Sequence, residues 1–435
     1  MSATTPVEKA AEAARQPPRT GLISELLVHP VHSLASQIIA DHFEVQARRR
    51  AVPTRGLHWA ALCVSIGSPQ RLAVVCRGHL SALLVQRLTH FRSERAVKRA
   101  LKHATAVLSR RHFVGLKDRA ATCVSTLEGH IGSVYDVAFH PSAPYLATGS
   151  DDKTAKLWLL KADCGAATCV STLQGHSGSV YSVAFHPSAP YLATGSGDKT
   201  AKLWRLNADC SDATCVSTMQ GHSHVVASVA FHPSAPYLAT GSGDKTAKLW
   251  LLNADCSAAS CVSTLQGHND WVWSVAFHPS APYLATGSGD STTKLWLLNA
   301  DCSSATCVST LQGHSSIVFS VAFHPSAPYL ATGSGDKTVK LWRLNADCSA
   351  ATCVSTLQGH SGSVYSVAFH PSAPYLATGS FDYTAKLWLL NADCSSATCV
   401  STLQGHSKIV NSVAFHPSAP YLATVSWDKT AKLWR

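Results

Sequence analysis

GHSGSVYSVAFHPSAPYLATGSGDKTAKLW, residues 175–204, decides the fold. With the preceding TCVSTLQ (168–174), it contains four short runs, the others being SVYSVAF (179–185), PYLATGS (190–196) and TAKLWRL (200–206). All are rich in β-branched and aromatic residues, which suit a pleated, half-buried surface, so they read as four strands. Turn chemistry separates them: GHS, the Pro-punctuated HPSAP, a tight GDK turn and the polar NADCSDA loop. The apolar period of 3.6 that a helical solenoid needs is absent.

Working outward, the same unit recurs every 46 residues. The Gly-His pair places His130, His176, His222, His268, His314, His360 and His406 at that interval, and Trp158, Trp204, Trp250, Trp296, Trp342, Trp388 and Trp434 keep step. Seven units of four short strands are the signature of an all-β, seven-bladed β-propeller with antiparallel blades. The quoted stretch resembles the WD-repeat (WD40) motif, and the resemblance covers residues 121–435. One departure is uniform: the Asp that usually follows the Trp is replaced, as by Leu159, Arg205 and Arg435.

Strand order makes a specific expectation about closure. Residues 121–128 match the outer strand of a blade, while the chain ends at Arg435, just as a third strand finishes. The resemblance implies that 121–128 supplies the missing outer strand of the last blade and closes the ring without an open edge.

Each copy also carries a His, a Thr, an Asp and a Trp: His130, Thr148, Asp152 and Trp158 in the first, His176, Thr194, Asp198 and Trp204 in the second. A Thr-His-Asp set invites a nucleophilic reading. A catalytic site is needed once, however, whereas this set occurs in all seven copies. The resemblance implies a structural chain in which the Asp accepts from the His, the His meets the Thr hydroxyl, and the Thr meets the indole. On this reading the protein is not an enzyme and needs no cofactor.

The copies differ in few places. After the Gly-His pair they read IGSVYD, SGSVYS, SHVVAS, NDWVWS, SSIVFS, SGSVYS and SKIVNS, and they differ again beside the turn Asp, while HPSAPYLAT is unchanged throughout. In an up-and-down blade these two variable segments emerge at one end, the loop entering each blade and the turn between its second and third strands. That gathers Tyr135, Tyr181, Trp271, Trp273, Phe319, Tyr365, Phe381, Tyr383 and Trp427 on one face. Aromatic anchors dominate binding hot spots, so these residues are the expected partner-binding set for a protein or peptide, with rim packing between blades as the alternative.

Charge divides the chain sharply. Residues 1–120 hold 19 of the 36 Lys and Arg and 7 of the 25 Asp and Glu, a net of +12, which leaves −1 on the repeats. An anionic partner, nucleic acid or a lipid surface, is therefore an expectation for the N-terminal segment alone. Residues 1–20 read as disordered, and 21–118 as a basic helical region in which Val97, Leu101, Ala104 and Leu108 follow one face. Within it, LAVVCRGHLSALL (72–84) resembles the later part of an F-box, making a ubiquitin-ligase substrate receptor the alternative function; the usual Leu-Pro opening is missing.

No run of about 18 apolar residues suggests a membrane span. The first twenty residues lack a secretory core, and Arg48-Arg49-Arg50 reads as either a solvated charge run or a nuclear address. The expected setting is cytoplasmic or nuclear, with a monomeric propeller. Thirteen of the 15 cysteines recur with the repeat, and Cys123 has no upstream mate, which fits free thiols better than a disulfide framework. Two thiols per repeat without paired histidines do not make a zinc site.

Overall fold

The computed structural model describes residues 121–161, 165–207, 209–253 and 255–435. The expectations for residues 1–20 and 21–118, including the F-box-like stretch and the site for an anionic partner, lie outside the described residues, as does Cys164. Twenty-eight strands, and no helix, occupy the described part. Accordingly, no helix there is long and apolar enough to cross a membrane.

The strands form seven separate four-stranded antiparallel sheets. In the first, β2 (Val134–Phe139), β3 (Tyr145–Ser150), β4 (Ala155–Leu160) and β5 (Ala167–Leu173) follow chain order. The last sheet is composite: β26 (Val410–Phe415), β27 (Leu422–Ser426) and β28 (Ala431–Trp434) are followed outward by β1 (Cys123–Leu127) from the other end of the repeats. The innermost strand of each sheet packs against its counterparts on both sides, and β26 returns to β2, so the seven blades form a closed ring.

The core lies between blades. Tyr191, Ala193, Leu203 and Met219 of the second blade pack with Val226, Val229, Leu238 and Trp250 of the third. The close approach also explains a strand glycine. A Cβ at Gly149 would stand 2.8 Å from Val180 Cγ1 and 3.0 Å from Val180 O on the neighbouring blade. Six blades keep Gly there; the seventh has buried Val425, so the junction that closes the ring is packed differently.

At the HPSAP end, a second circuit runs around the ring. His140 meets Phe185 edge-on at 5.0 Å, and the same pairing repeats at every junction until His416 meets Phe139 at 5.0 Å. The loop itself is pinned by the histidine, whose Nδ1 accepts the backbone N–H groups of Ser142 (3.2 Å) and Ala143 (2.9 Å).

Candidate functional site

The His-Thr-Asp-Trp sets lie at the opposite end and make one hydrogen-bonded chain per blade. In the first, Trp158 Nε1 donates to Thr148 Oγ1 at 2.8 Å, Thr148 Oγ1 lies 2.7 Å from His130 Nε2, and His130 Nδ1 lies 2.7 Å from Asp152 Oδ2. The second blade repeats it through Trp204, Thr194, His176 and Asp198 at 2.9, 2.7 and 2.7 Å. A neutral imidazole satisfies every link: indole to hydroxyl, hydroxyl to Nε2, Nδ1–H to carboxylate. Burial favours that neutral form and lowers the His176 pKa. Burial alone would raise Asp198, but hydrogen bonds from Thr200 and His176 outweigh it and hold the carboxyl at about 2.

This geometry superficially matches a hydrolytic triad, yet Thr148 and Thr194 are fully buried and each already accepts an indole N–H. No substrate carbonyl can reach them. What the chain does is join the incoming loop, the second and third strands and the turn of one blade. Asp198 also accepts the backbone N–H groups of Ser177 and Thr200. Asp198→Ala strands several of these donors at about 1–3 kcal/mol for each buried group. We expect a clearly lower urea midpoint; an unchanged midpoint contradicts the structural role.

The variable residues meet at the same end. In every innermost strand the ladder slips at the fifth residue after the His, so Tyr135, Tyr181, Ala227, Trp273, Phe319, Tyr365 and Asn411 occupy β-bulges. A bulge re-aims its side chain, and here the rings turn onto the rim. Tyr135 stacks on Tyr181 at 4.9 Å and meets Trp427 edge-on at 6.2 Å. On the far side Trp271 stacks on Trp273 at 4.9 Å, Trp273 meets Phe319 at 5.5 Å, and Phe319 meets Tyr365 at 4.5 Å. Ala227 and Asn411 interrupt the belt.

Three variable positions converge where two blades meet. Tyr135 Oη donates to Asp151 in the turn of its own blade at 3.3 Å, and Ser179 of the next blade donates to the same carboxylate at 2.7 Å. At the ring's closing junction the trio is Asn411, Trp427 and Ser133, with Trp427 Nε1 donating to Asn411 Oδ1 and Ser133 Oγ to Trp427 O. Seven of the nine expected aromatics are thus half-buried against neighbours; Phe381 and Tyr383 are the two that stand exposed.

With this geometry established, comparison with known sequences is decisive. The family described as "WD domain, G-beta repeat" matches residues 121–158, 167–205, 213–250, 259–296, 305–343, 351–388 and 397–435. The chain belongs to the WD40 family. WD40 propellers generally act as non-catalytic scaffolds that bind proteins or peptides. Among curated relatives, the nuclear distribution protein nudF 1 of Talaromyces marneffei is 41% identical over 59 residues, covering 14% of this chain and 13% of that protein. The nuclear distribution protein nudF 2 of Penicillium rubens is 44% identical over 54 residues, 12% of each chain. The matches therefore span about an eighth of these relatives.

Two residues of this WD40 ring were not singled out from sequence. Ile131, directly after the first Gly-His pair where other copies carry Ser or Asn, is 81% exposed at the end that carries the variable loops. Asp136 replaces a Ser found in the other six copies. Elsewhere that Ser accepts a backbone N–H from the next blade, as Ser182 does from Val229 at 3.2 Å. Asp136 accepts from Val183 at 2.9 Å and also from Ser412 Oγ at 2.8 Å across the closing junction. Both substitutions were visible as departures from the repeat.

Proposed function

We propose that this protein is a non-catalytic interaction scaffold that takes a peptide or protein segment on the propeller face formed by the Gly-His loops and the Asp turns. One observation carries the reading: the residues that differ between otherwise near-identical copies meet one another in contact groups on this face, while the HPSAP loops of the other face are the same in all seven blades. Packing alone does not demand such variety, since every blade has the same core. Tyr135, Tyr181, Trp271, Trp273, Phe319, Tyr365, Phe381, Tyr383 and Trp427 are the contact residues on this reading. The half-buried members supply a rigid, preorganised aromatic floor, which lowers the entropic cost of binding. A cytoplasmic or nuclear setting belongs to the same reading and is supported by twelve described cysteines that are all unbridged.

The test compares three proteins as affinity baits: the native chain, a W271A/W273A/F381A/W427A variant, and a variant of the opposite face, S188R/S234R. Partners should be retained by the opposite-face variant and lost from the aromatic variant, provided its circular dichroism and melting show a folded ring. A folded aromatic variant that retrieves the same set overturns the assignment.

A further inference from the structure

The turn of the sixth blade differs from the other six on both sides of its network Asp. The other turns read Asp-Asp-Lys, Gly-Asp-Lys, Gly-Asp-Ser or Trp-Asp-Lys; this one reads Phe381-Asp382-Tyr383. Its rings lie 6.4 Å apart and are 48% and 46% exposed, the most exposed aromatics among the described residues. Neither serves the fold, because six blades form the same turn without an aromatic pair. Tyr383 occupies the left-handed turn position that every blade fills at φ 66–71°, with Lys in five of the other blades and Ser in one.

The loop facing this turn leaves the rings uncovered. A Cβ at Gly362 would stand 2.9 Å from Phe381 Cβ and 2.8 Å from Asp382 N. Blades three to five carry His224, Asp270 and Ser316 at the equivalent position, opposite a turn glycine. In the sixth blade the glycine leaves this space to Phe381, whereas the seventh blade carries Lys408 opposite Trp427. On the Gly-His loops and Asp turns of the fifth to seventh blades the exposed charged residues are all cationic: Lys337 on the fifth blade's turn, Lys408 and Lys429 on the seventh blade. The turn carboxylates Asp336, Asp382 and Asp428 face inward onto His314, His360 and His406.

We propose that Phe381 and Tyr383 seat one apolar side chain of a partner segment whose flanking residues are acidic, with Lys337, Lys408 and Lys429 receiving the carboxylates. This rests on the reading of the face as a partner surface and narrows it to the fifth-to-seventh-blade sector. Apolar area supplies the anchor, and the lysines supply orientation and association rate.

The experiment selects random twelve-residue peptides by phage display on the full chain and measures synthetic versions by fluorescence anisotropy. The comparison variant is F381G/Y383K, which restores the Gly-Asp-Lys turn of the second, third and fifth blades and so preserves folding. Selected peptides should carry an apolar residue among Asp or Glu, bind F381G/Y383K about tenfold more weakly, and weaken as salt screens the lysines. K408E/K429E should weaken them further. Equal affinity for native chain and F381G/Y383K, basic or uncharged winners, or no enrichment over empty support overturns the proposal. Peptides that tolerate F381G/Y383K but are lost on W271A/W273A overturn this sector while keeping the face; peptides insensitive to both variants overturn both.

Discussion

Removing residues 1–128 is expected to lower the melting temperature by about 10 °C relative to removing residues 1–120, because the shorter deletion spares the strand that completes the last blade. β1 pairs with β28 from Cys123–Trp434 to Leu127–Ala431, and Thr122 and Arg435 exchange both backbone hydrogen bonds at 3.1 and 3.0 Å. Leu127 is buried in a cluster that spans the closing junction with Val134, Val425 and Leu433. Burying one such side chain contributes about 1.5–3 kcal/mol, and each ladder hydrogen bond about 0.5–1.5 kcal/mol net. Together these exceed about 5 kcal/mol, and a change of 1 kcal/mol moves the melting point of a domain of this size by about 2 °C. The loss also bares the edge of β28, so aggregation should accompany it. Calorimetry on the two truncated proteins decides: if they melt together, β1 does not close the ring.

The junction involved is also chemically distinct. Asn411 donates to Tyr135 O at 2.6 Å, and Ser412 donates to Asp136, contacts specific to the meeting of the last and first blades. In a chain of near-identical repeats, such contacts distinguish the correct closing partner from six similar ones, a use of polar specificity seen in other repeating assemblies.

Blade architecture was legible because it is local. Strand runs, Pro-punctuated loops and tight turns all express themselves within one 46-residue copy, and SVYSVAF became Val180–Phe185 with little change of boundary. Aromatic convergence was legible only as membership of one face. Simple alternation along one strand would put Trp271 and Trp273, three and five residues beyond His268, on the same side. In the structure Trp271 precedes its strand and Trp273 is the bulged residue, so their stacking arises from a ladder slip. A slip is a property of the pairing between strands, which no single strand encodes. Burial of individual rings was illegible for a related reason: Tyr135 is covered by Tyr181 and Trp427, residues 46 and 292 positions away, and only ring closure brings the latter near.

The propeller is expected to lose stability steeply as pH falls from 7 to 5, and the HPSAP histidines account for much of the loss. Burial lowers the pKa of His140, His186, His232, His278, His324 and His416, and takes His370 down to about 4. Burial is the leading cause in each case. Geometry works in the same direction, since Nδ1 already accepts two backbone N–H groups and a proton there would break both bonds. In the unfolded chain these histidines titrate near 6.5. Between that value and the lower folded pKa the unfolded state binds more protons, so stability is intact above about pH 6.5 and declines as pH falls. His176, His222, His268 and His314 are lowered too and add to the slope. Groups this numerous should cost about 10 °C in melting temperature by pH 5, even after discounting for partial exposure. Replacing the seven HPSAP histidines with Asn keeps a side-chain acceptor for the two N–H groups but removes the titration. That variant should show a much shallower acid limb, with the residual slope set by the Asp-paired histidines. A native protein whose melting temperature is flat from pH 7 to 5, or a folded Asn variant with an undiminished slope, would show that the histidine circuit does not govern acid stability.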